Sequence, residues 1–166
     1  LEVQLKSARV LLGDNRPAAT VDFDNPFSIE LTYDVFAPIR DLSVAYQLLD
    51  SQGNLVFEAM DTDMPEWKGR VRQPGRYVAT CRVPGYLLKP GRYHLSLVSF
   101  IERVKIIERQ EGVLTFDVSE VGYCLNPGRL GVVSPVLEWE VSWVGKMNLV
   151  ASSKEEHRDR RSIHFA

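Results

Sequence analysis

The sequence predicts an all-β protein, an antiparallel β-sandwich of the immunoglobulin-like or jelly-roll type. The tetrapeptide Pro-Gly-Arg-Tyr occurs at 74–77 and again at 90–93, and each copy opens a run of alternating apolar and polar residues. Proline presets φ for the second position of a turn and glycine accepts the positive φ of the third, so each copy predicts a turn that leads into a strand. Turn signals recur about every 8–12 residues, and no apolar pattern keeps a helical period for three turns. This spacing is typical of a sandwich.

Five strands are predicted in the first part of the chain. The run from Phe27 to Val35 alternates without a fault, whereas the first strand is interrupted near Ser7. Asp50-Ser51-Gln52-Gly53 matches a β-turn with aspartate first and glycine fourth, which makes the strands on either side of it a hairpin. The predicted strands cover residues 3–12, 19–23, 27–35, 42–48 and 55–60.

The alternation stops over 61–73, which predicts a long connection of the kind that often carries function. The two Pro-Gly-Arg-Tyr strands follow, and then two more strands over 104–109 and 113–118. We expect about eight to ten strands in total. The period of two also assigns side chains to the core, namely Phe27, Ile29, Leu31, Tyr33, Tyr77, Ala79, Cys81, Tyr93, Leu95 and Leu97.

The chain changes character beyond residue 118. The stretch 135–144 alternates two tryptophans and other apolar residues with polar ones, and it predicts a final strand. A dense run of charges at 152–161 would be costly to bury and predicts a solvated tail. The sequence therefore predicts a sandwich domain over 1–145 and a polar, flexible tail over 146–166.

The composition fits one globular domain that needs neither a metal nor a disulfide. The chain has 166 residues, 45% of them hydrophobic, and a domain of that size buries about 70% of the surface that its unfolded chain exposes. Its 20 basic and 22 acidic residues give a net charge of −2, which argues against a nucleic-acid partner. Cys81 lies on an apolar strand face, which favours a buried free thiol in a reducing compartment. A disulfide between Cys81 and Cys124 is the alternative.

Targeting signals give little information about this chain. It contains no run of 18 or more apolar residues, and its N-terminus lacks the charged-then-apolar layout of a signal peptide. Because the chain opens on Leu1 without an initiator methionine, we interpret it as part of a longer protein.

The motifs of common enzymes are missing from the sequence. It has no Gly-x-x-x-x-Gly-Lys-Ser/Thr phosphate loop, no zinc-type pairing of His or Cys, and no Gly-x-Ser-x-Gly elbow. We therefore predict no enzyme activity, no cofactor and no metal. The acidic pairs Asp61/Asp63 and Glu138/Glu140 leave a glycosidase as an alternative, because such enzymes use two carboxylates. Solvated strand faces produce the same pattern.

Carbohydrate binding has a different signature, which combines aromatic rings with planar amide, carboxylate and guanidinium groups. If the two Pro-Gly-Arg-Tyr strands pair, their outer faces supply such groups beside a tryptophan from the long connection. Ordinary sheet surface, with the tryptophan as a lid on the core, is the alternative interpretation. The predicted carbohydrate-binding residues are Trp67, Arg76, Thr80, Arg82, His94 and Ser96.

Three stretches of the chain carry a resemblance to a known family. They are Phe27–Tyr33, the hairpin sequence Ala45–Phe57 and Leu88–Tyr93. In these stretches the sequence resembles the Wzt C-terminal domain, the carbohydrate-binding module on the nucleotide-binding subunit of bacterial O-antigen ABC transporters. The similarity covers about Leu1 to Val144. It resides in the strand pattern, the Asp-x-x-Gly hairpin and the Leu-x-Pro-Gly-x-Tyr turn.

The resemblance implies a function, partners and a location. A non-catalytic domain of this family recognises the capped non-reducing end of an undecaprenyl-linked O-antigen polysaccharide and licenses its export. Its partners are the transporter's nucleotide-binding domain and membrane subunit, so it is cytoplasmic and peripheral to the inner membrane. The family also forms homodimers by exchange of a C-terminal strand, for which 135–144 is the candidate. A structural or protein-docking sandwich is the alternative from a different class.

Overall fold

A computed structural model of the chain describes residues 1–120 and 129–145. The chain divides into two units, Leu1–Val136 and Leu137–Ala166, of which the second is described only over 137–145. The described residues include no helix that could span a membrane. Residues 146–166 and Cys124 lie outside the described part, so the predicted tail and the possible disulfide to Cys81 stay predictions.

Ten strands and one short 3₁₀ turn, at Asp61–Asp63, make up the regular structure of the described residues. The strand number agrees with the eight to ten that the sequence predicts. The strands are β1 (Val3–Leu11), β2 (Thr20–Asp22), β3 (Phe27–Val35), β4 (Ile39–Arg40), β5 (Leu42–Asp50), β6 (Leu55–Met60), β7 (Val71–Arg72), β8 (Gly75–Val83), β9 (Gly91–Ile101) and β10 (Lys105–Ser119).

The strands form two main sheets that pack face to face. One sheet has three antiparallel strands in the order β1-β3-β8, and the other has five in the order β2-β10-β9-β5-β6. All pairings in the five-stranded sheet are antiparallel except that of β2 with β10, while β4 and β7 form a separate ribbon. The predicted all-β sandwich is confirmed.

The core lies between the inner faces of the two sheets, as the alternation predicts. Of the ten side chains assigned to it, seven are buried, namely Phe27, Ile29, Leu31, Tyr33, Tyr93, Leu95 and Leu97. Tyr77, Ala79 and Cys81 point to the same core but are only half-buried, because β8 is an edge strand. The β8 residues between these three, together with Arg76 and Arg82 on either side, point away from the core and are exposed. The predicted register of both strands is therefore confirmed.

The two Pro-Gly-Arg-Tyr strands do not pair with each other. Strand β8 pairs with β3 at one edge of the three-stranded sheet, whereas β9 lies between β5 and β10 in the five-stranded sheet. The pairing on which a single carbohydrate-binding surface of these two strands depended is therefore absent. The physical reason is that a turn sequence fixes where a strand begins, but tertiary packing decides which strand it pairs with.

The two copies nevertheless build the same local structure. In each, the tyrosine hydroxyl donates a 2.8 Å hydrogen bond to the backbone carbonyl four residues earlier, from Tyr77 to Gln73 and from Tyr93 to Lys89. This arrangement is the tyrosine corner of β-sandwiches. Burial raises the pKa of Tyr93 to about 12, so its hydroxyl keeps the proton that it donates. Each hydrogen bond of this kind contributes about 1 kcal/mol of stability.

Two strands depart from the predicted boundaries because of β-bulges. The predicted interruption near Ser7 is a shift in pairing between Leu5 and Ser7 within a continuous β1. The predicted pair 104–109 and 113–118 is one strand, β10, whose pairing with β9 shifts twice. A bulge leaves a residue unpaired without ending the strand, so it imitates a strand end in the sequence pattern.

Residues 137–145 form neither helix nor strand in the single chain. Their apolar side chains are exposed, with Trp139 at 85% and Trp143 at 80%. A strand that is completed only by a second chain would have no pairing partner here. The strand exchange therefore stays a prediction.

Candidate functional site

The structure places the six predicted carbohydrate-binding residues in three separate places. Trp67 lies in the connection between β6 and β7. The outer face of the three-stranded sheet carries Arg76, Thr80 and Arg82, and the outer face of the five-stranded sheet carries His94 and Ser96. Because the two outer faces point away from each other, the six residues do not form one surface.

Arg76 is held by an ion pair across the strands. Its Nε and Nη2 lie 2.7 and 2.9 Å from the two carboxylate oxygens of Asp34, its direct partner on β3. Hydrogen bonding to Arg76 lowers the pKa of Asp34 below its usual value. The second copy of the repeat repeats this pair, because Arg92 binds both carboxylate oxygens of Asp117 on β10. The arginine of the tetrapeptide therefore has a structural contact in each sheet.

Trp67 packs as a lid on a buried arginine. The Arg72 guanidinium carbon lies 4.6 Å from the centre of the Trp67 ring, and the ring is perpendicular to that of Tyr77 at 6.3 Å. Trp67 is half-buried, so only part of its surface faces solvent. This geometry favours the alternative that the sequence left open, a lid on the core, over a free stacking platform. Whether the ring also contacts a sugar stays a prediction.

Beneath Trp67, Arg72 and Asp61 form a buried ion pair. Arg72 is 3% exposed, and its Nη2 lies 2.8 Å from Asp61 Oδ2. The backbone N–H of Val44 donates to Asp61 Oδ1 at 3.0 Å, and the Tyr33 hydroxyl donates to Oδ2 at 3.3 Å. Burial raises the pKa of Asp61 to about 6. Asp61 is thus engaged by Arg72, Val44 and Tyr33, whereas the neighbouring Asp63 is exposed.

The outer face of the five-stranded sheet carries a chain of three hydrogen-bonded side chains, here called the polar ladder: Glu58 on β6, Gln47 on β5 and Arg109 on β10. Gln47 Nε2 donates to Glu58 Oε2 at 2.6 Å, and Arg109 Nη1 donates to Gln47 Oε1 at 3.0 Å. Gln47 and Glu58 are direct partners in the β5–β6 hairpin. Arg109 reaches β5 across the intervening β9, a span of about 10 Å for two strand spacings.

The β9 residues under the polar ladder are small and buried. Val98, which pairs with Arg109, is 3% exposed, and Ser96, which pairs with Gln47, is 7% exposed. The Ser96 hydroxyl accepts a hydrogen bond from the backbone N–H of Gly112 at 3.2 Å, which fixes the bulge of β10 over it. Ser96 therefore supports the surface from below.

His94 and Thr115 extend the polar surface along the same two strands. They are direct partners across β9 and β10, and His94 Nδ1 lies 2.9 Å from the Thr115 hydroxyl. The hydrogen bond fixes the plane of the imidazole ring. Its Nε2 has no partner among the residues that the structure describes, which leaves it available to a ligand.

The polar ladder can bind hydroxyl groups because its members are only partly satisfied. A guanidinium has five N–H donors and a carboxylate has about four acceptor positions, whereas each uses one in the ladder. Planar groups of this kind hold two neighbouring hydroxyls in pairs, and the internal hydrogen bonds fix their orientation before a ligand arrives. The contact between Gln47 and Glu58 could have been predicted from the sequence, because the Asp50–Gly53 turn sets these two residues opposite each other in the hairpin. Nothing in the sequence pointed to Arg109.

The described residues contain no group of three His, Cys, Asp or Glu side chains that could hold a metal ion. The candidate site is a surface of hydrogen-bonding side chains on a β-sandwich.

Comparison with known proteins assigns the family. The fold and its polar outer face define an all-β sandwich module with a surface suited to a polar ligand. The family model described as the Wzt C-terminal domain matches residues 1–131. The chain belongs to the Wzt C-terminal domain family. A comparison with curated protein sequences found no match.

A crystal structure of the C-terminal domain of Wzt has the same fold. Its TM-score is 0.68 at 9% sequence identity, and the match covers 86% of this chain and 84% of that chain. A Listeria innocua β-glucosidase matches with a TM-score of 0.41 at 12% identity over 75% of this chain and 16% of that chain. The DNA glycosylase AlkC of Pseudomonas fluorescens matches with a TM-score of 0.44 at 13% identity, over 71% and 30%.

Proposed function

We propose that this chain is a non-catalytic carbohydrate-binding domain that recognises the capped non-reducing end of an O-antigen polysaccharide for export by an ABC transporter. The polar ladder is the observation that carries the proposal. Together with His94 and Thr115 it presents guanidinium, amide, carboxylate and imidazole groups in one fixed array on a rigid sheet. Family membership supports the same function.

The competing classes are supported less well. A glycosidase needs two carboxylates about 5–10 Å apart in one cleft, and the sequence-predicted pair is unsuited because Asp61 is bound to Arg72. A protein-docking sandwich is expected to use an exposed apolar patch. The exposed apolar side chains over 137–143 are such a surface, and we propose that a second copy of this chain covers them rather than a different protein.

Replacing Arg109 by alanine is expected to weaken glycan binding by about 1.5–3 kcal/mol, or roughly 10- to 150-fold, because a charged hydrogen bond to the sugar is lost and Gln47 is freed to rotate. Gln47→Ala should weaken binding by about 1 kcal/mol or more. The measurement is calorimetric titration of the wild type and each variant with the purified O-polysaccharide of the parent organism.

Two matched arginine variants locate the site. Arg76→Ala and Arg82→Ala remove guanidiniums from the outer face of the other sheet, so we expect both to bind the polysaccharide with wild-type affinity. The affinity of Trp67→Ala for the polysaccharide tests whether the connection between β6 and β7 takes part in binding. A loss of affinity in Arg82→Ala together with wild-type affinity in Arg109→Ala would move the site to the three-stranded sheet. Failure of the wild type to bind would contradict the function itself.

The partners and the location of this domain are proposed by analogy with the family. We propose that the domain works beside the nucleotide-binding domain and membrane subunit of a transporter, in the cytoplasm at the inner membrane. We also propose that it is a homodimer in which each chain gives the stretch 135–144 to its partner. The exposed alternation of Leu137, Trp139, Val141 and Trp143 supports this exchange, because a strand with one apolar face needs a second surface to cover it.

Light scattering at tens of micromolar is expected to give the mass of a dimer for the full chain and of a monomer after deletion from Pro135 onward. The deletion removes the stretch 135–144, which we propose that the two chains exchange. A dimer that persists after the deletion would contradict exchange, and so would a monomeric full chain.

A further inference from the structure

A groove opens along one side of the sandwich, between β6 and β8, the edge strands of the two sheets. The opposite side is closed, because Glu108 and Gln110 on β10 form hydrogen bonds with the backbone of Leu5 on β1. The groove encloses a cavity of about 350 Å³ that reaches down to core residues of both sheets. A cavity of this size is within the usual range for small-molecule sites.

Most of the residues that form the floor and walls of the groove are apolar. Ile29 and Val44 form part of the floor and belong to opposite sheets, and both are fully buried from solvent. The Tyr46 hydroxyl, at the base, is already satisfied because it donates to Cys81 Sγ at 3.3 Å. The thioethers of Met60 and Met64 line the walls, and methionine adapts its shape to an apolar ligand. The deep part of the groove therefore suits an alkyl chain.

Three charged side chains line the groove, namely Arg82, Asp61 and Asp63. Arg82 lines the cavity, is exposed, and forms no ion pair or hydrogen bond with the residues that the structure describes. Of the two carboxylates that also line it, Asp61 is bound to Arg72 and Asp63 accepts a hydrogen bond from the backbone N–H of Met60 at 3.2 Å. A single guanidinium near an aspartate favours a head group with one negative charge over a dianionic phosphate.

From this geometry we infer that the groove binds a medium-chain fatty carboxylate, with its alkyl chain between the two sheets and its carboxylate on Arg82. Guanidinium and carboxylate form two parallel hydrogen bonds, and Thr80 beside Arg82 offers a hydroxyl donor. This site is separate from the polar ladder, which lies on the outer face of the five-stranded sheet. The inference does not depend on glycan binding.

A chain-length series tests the apolar part of the site. Each methylene buried contributes about 0.8 kcal/mol, which equals roughly a 4-fold gain in affinity. Titration of the full chain with hexanoate, octanoate and decanoate, all below the concentration at which they form micelles, should show about a 15-fold gain for each step of two methylenes until the groove is full. Equal affinity for the three compounds, or no binding, would overturn the proposal.

Matched variants test the head group. Arg82→Met should weaken decanoate binding by about 10-fold or more and leave the binding of 1-decanol unchanged, because only the carboxylate needs the guanidinium. Arg76→Met is the control, since that arginine lies on the same strand but is bound to Asp34. Equal losses in both variants, or an equal loss for the alcohol, would count against Arg82 as the head-group ligand.

Protection of Cys81 locates the ligand in the groove. In a Cys124→Ser background, decanoate should slow the alkylation of Cys81 by at least 5-fold at saturation, and Ala79→Leu should abolish binding because it fills the cavity. Thermal unfolding verifies that this variant folds. Unprotected Cys81 at saturating decanoate would overturn the assignment. So would binding that appears only after deletion from Pro135 onward, because the groove would then belong to the exchanged strand of a second copy.

Discussion

Replacing Arg72 by methionine is expected to destabilise the fold by about 3–5 kcal/mol, which corresponds to a fall in Tm of about 6–20 °C for a chain of this length. Methionine fills much of the same space, but it leaves the Asp61 carboxylate buried without its counter-charge. The stacking of the guanidinium on Trp67 is lost as well. Calorimetric or denaturant unfolding at pH 7 measures the change.

The pH dependence of the Arg72→Met variant separates a lost charge from lost packing. Burial already raises the pKa of Asp61 to about 6, above the value near 3.9 of an unfolded aspartate. The folded state therefore binds the proton more tightly, and the stability from this group is present below about pH 4 and disappears as the pH rises through the folded pKa. The destabilisation should thus be smallest near pH 4 and largest above pH 7. A deficit that does not change with pH would indicate packing alone.

Arg76→Met is the matched control for this prediction. Arg76 also pairs with an aspartate, but its side chain is 63% exposed, and solvent screens exposed ion pairs so that they add little to stability. A similar loss of stability in both variants would contradict the role of burial in the Arg72–Asp61 pair.

Phe116→Ala is expected to destabilise the fold by about 3–5 kcal/mol, because it leaves a cavity in the core between the two sheets. The Phe116 side chain is 1% exposed. Its ring centre lies 5.5 Å from that of Phe27 in the opposite sheet and 5.8 Å from that of Tyr93 on the neighbouring strand. Loss of the ring also removes the stacking partner of the second tyrosine corner.

Urea unfolding of Phe116→Ala measures this effect, with Val78→Ala as the control. Val78 is 60% exposed on the outer face of β8, and surface changes usually stay within about 0.5 kcal/mol. A loss below 1.5 kcal/mol in Phe116→Ala would mean that the sheets close over the vacated space.

The strands and the faces of the sandwich follow from local chemistry, which is why the sequence predicts them. The alternation from Phe27 to Val35 is matched by burial at every second residue, and the Asp50–Gly53 turn has the backbone hydrogen bond from Gly53 to Asp50. Successive side chains of a strand point to opposite faces of the sheet, so the alternation of apolar and polar residues is visible in the sequence without knowing which strands lie alongside.

The arrangement of the site depends on which strands pair, and local chemistry does not decide that. Two identical tetrapeptides lead into strands of opposite sheets, and this separates Arg82 from His94. Arg109 meets Gln47 only because β10 and β5 both pair with β9. The buried pair of Asp61 and Arg72 was likewise hidden, because the alternation is interrupted in the connection that carries both residues.

The repeated tyrosine corner and arginine–aspartate pair have unequal consequences for the order of folding. The pair Arg92–Asp117 closes a chain segment of 25 residues, whereas Arg76–Asp34 closes one of 42. The difference in closure entropy is only about 0.5 kcal/mol, but β9 and β10 are also consecutive and joined by a short turn, while the chain between β3 and β8 must first place four other strands. Local contacts of low sequence separation form early. The contacts of Tyr93 and Arg92 should therefore be formed in the transition state for folding, whereas those of Tyr77 and Arg76 should form later. We expect φ-values near 0.5–0.8 for Tyr93→Phe and below 0.3 for Tyr77→Phe.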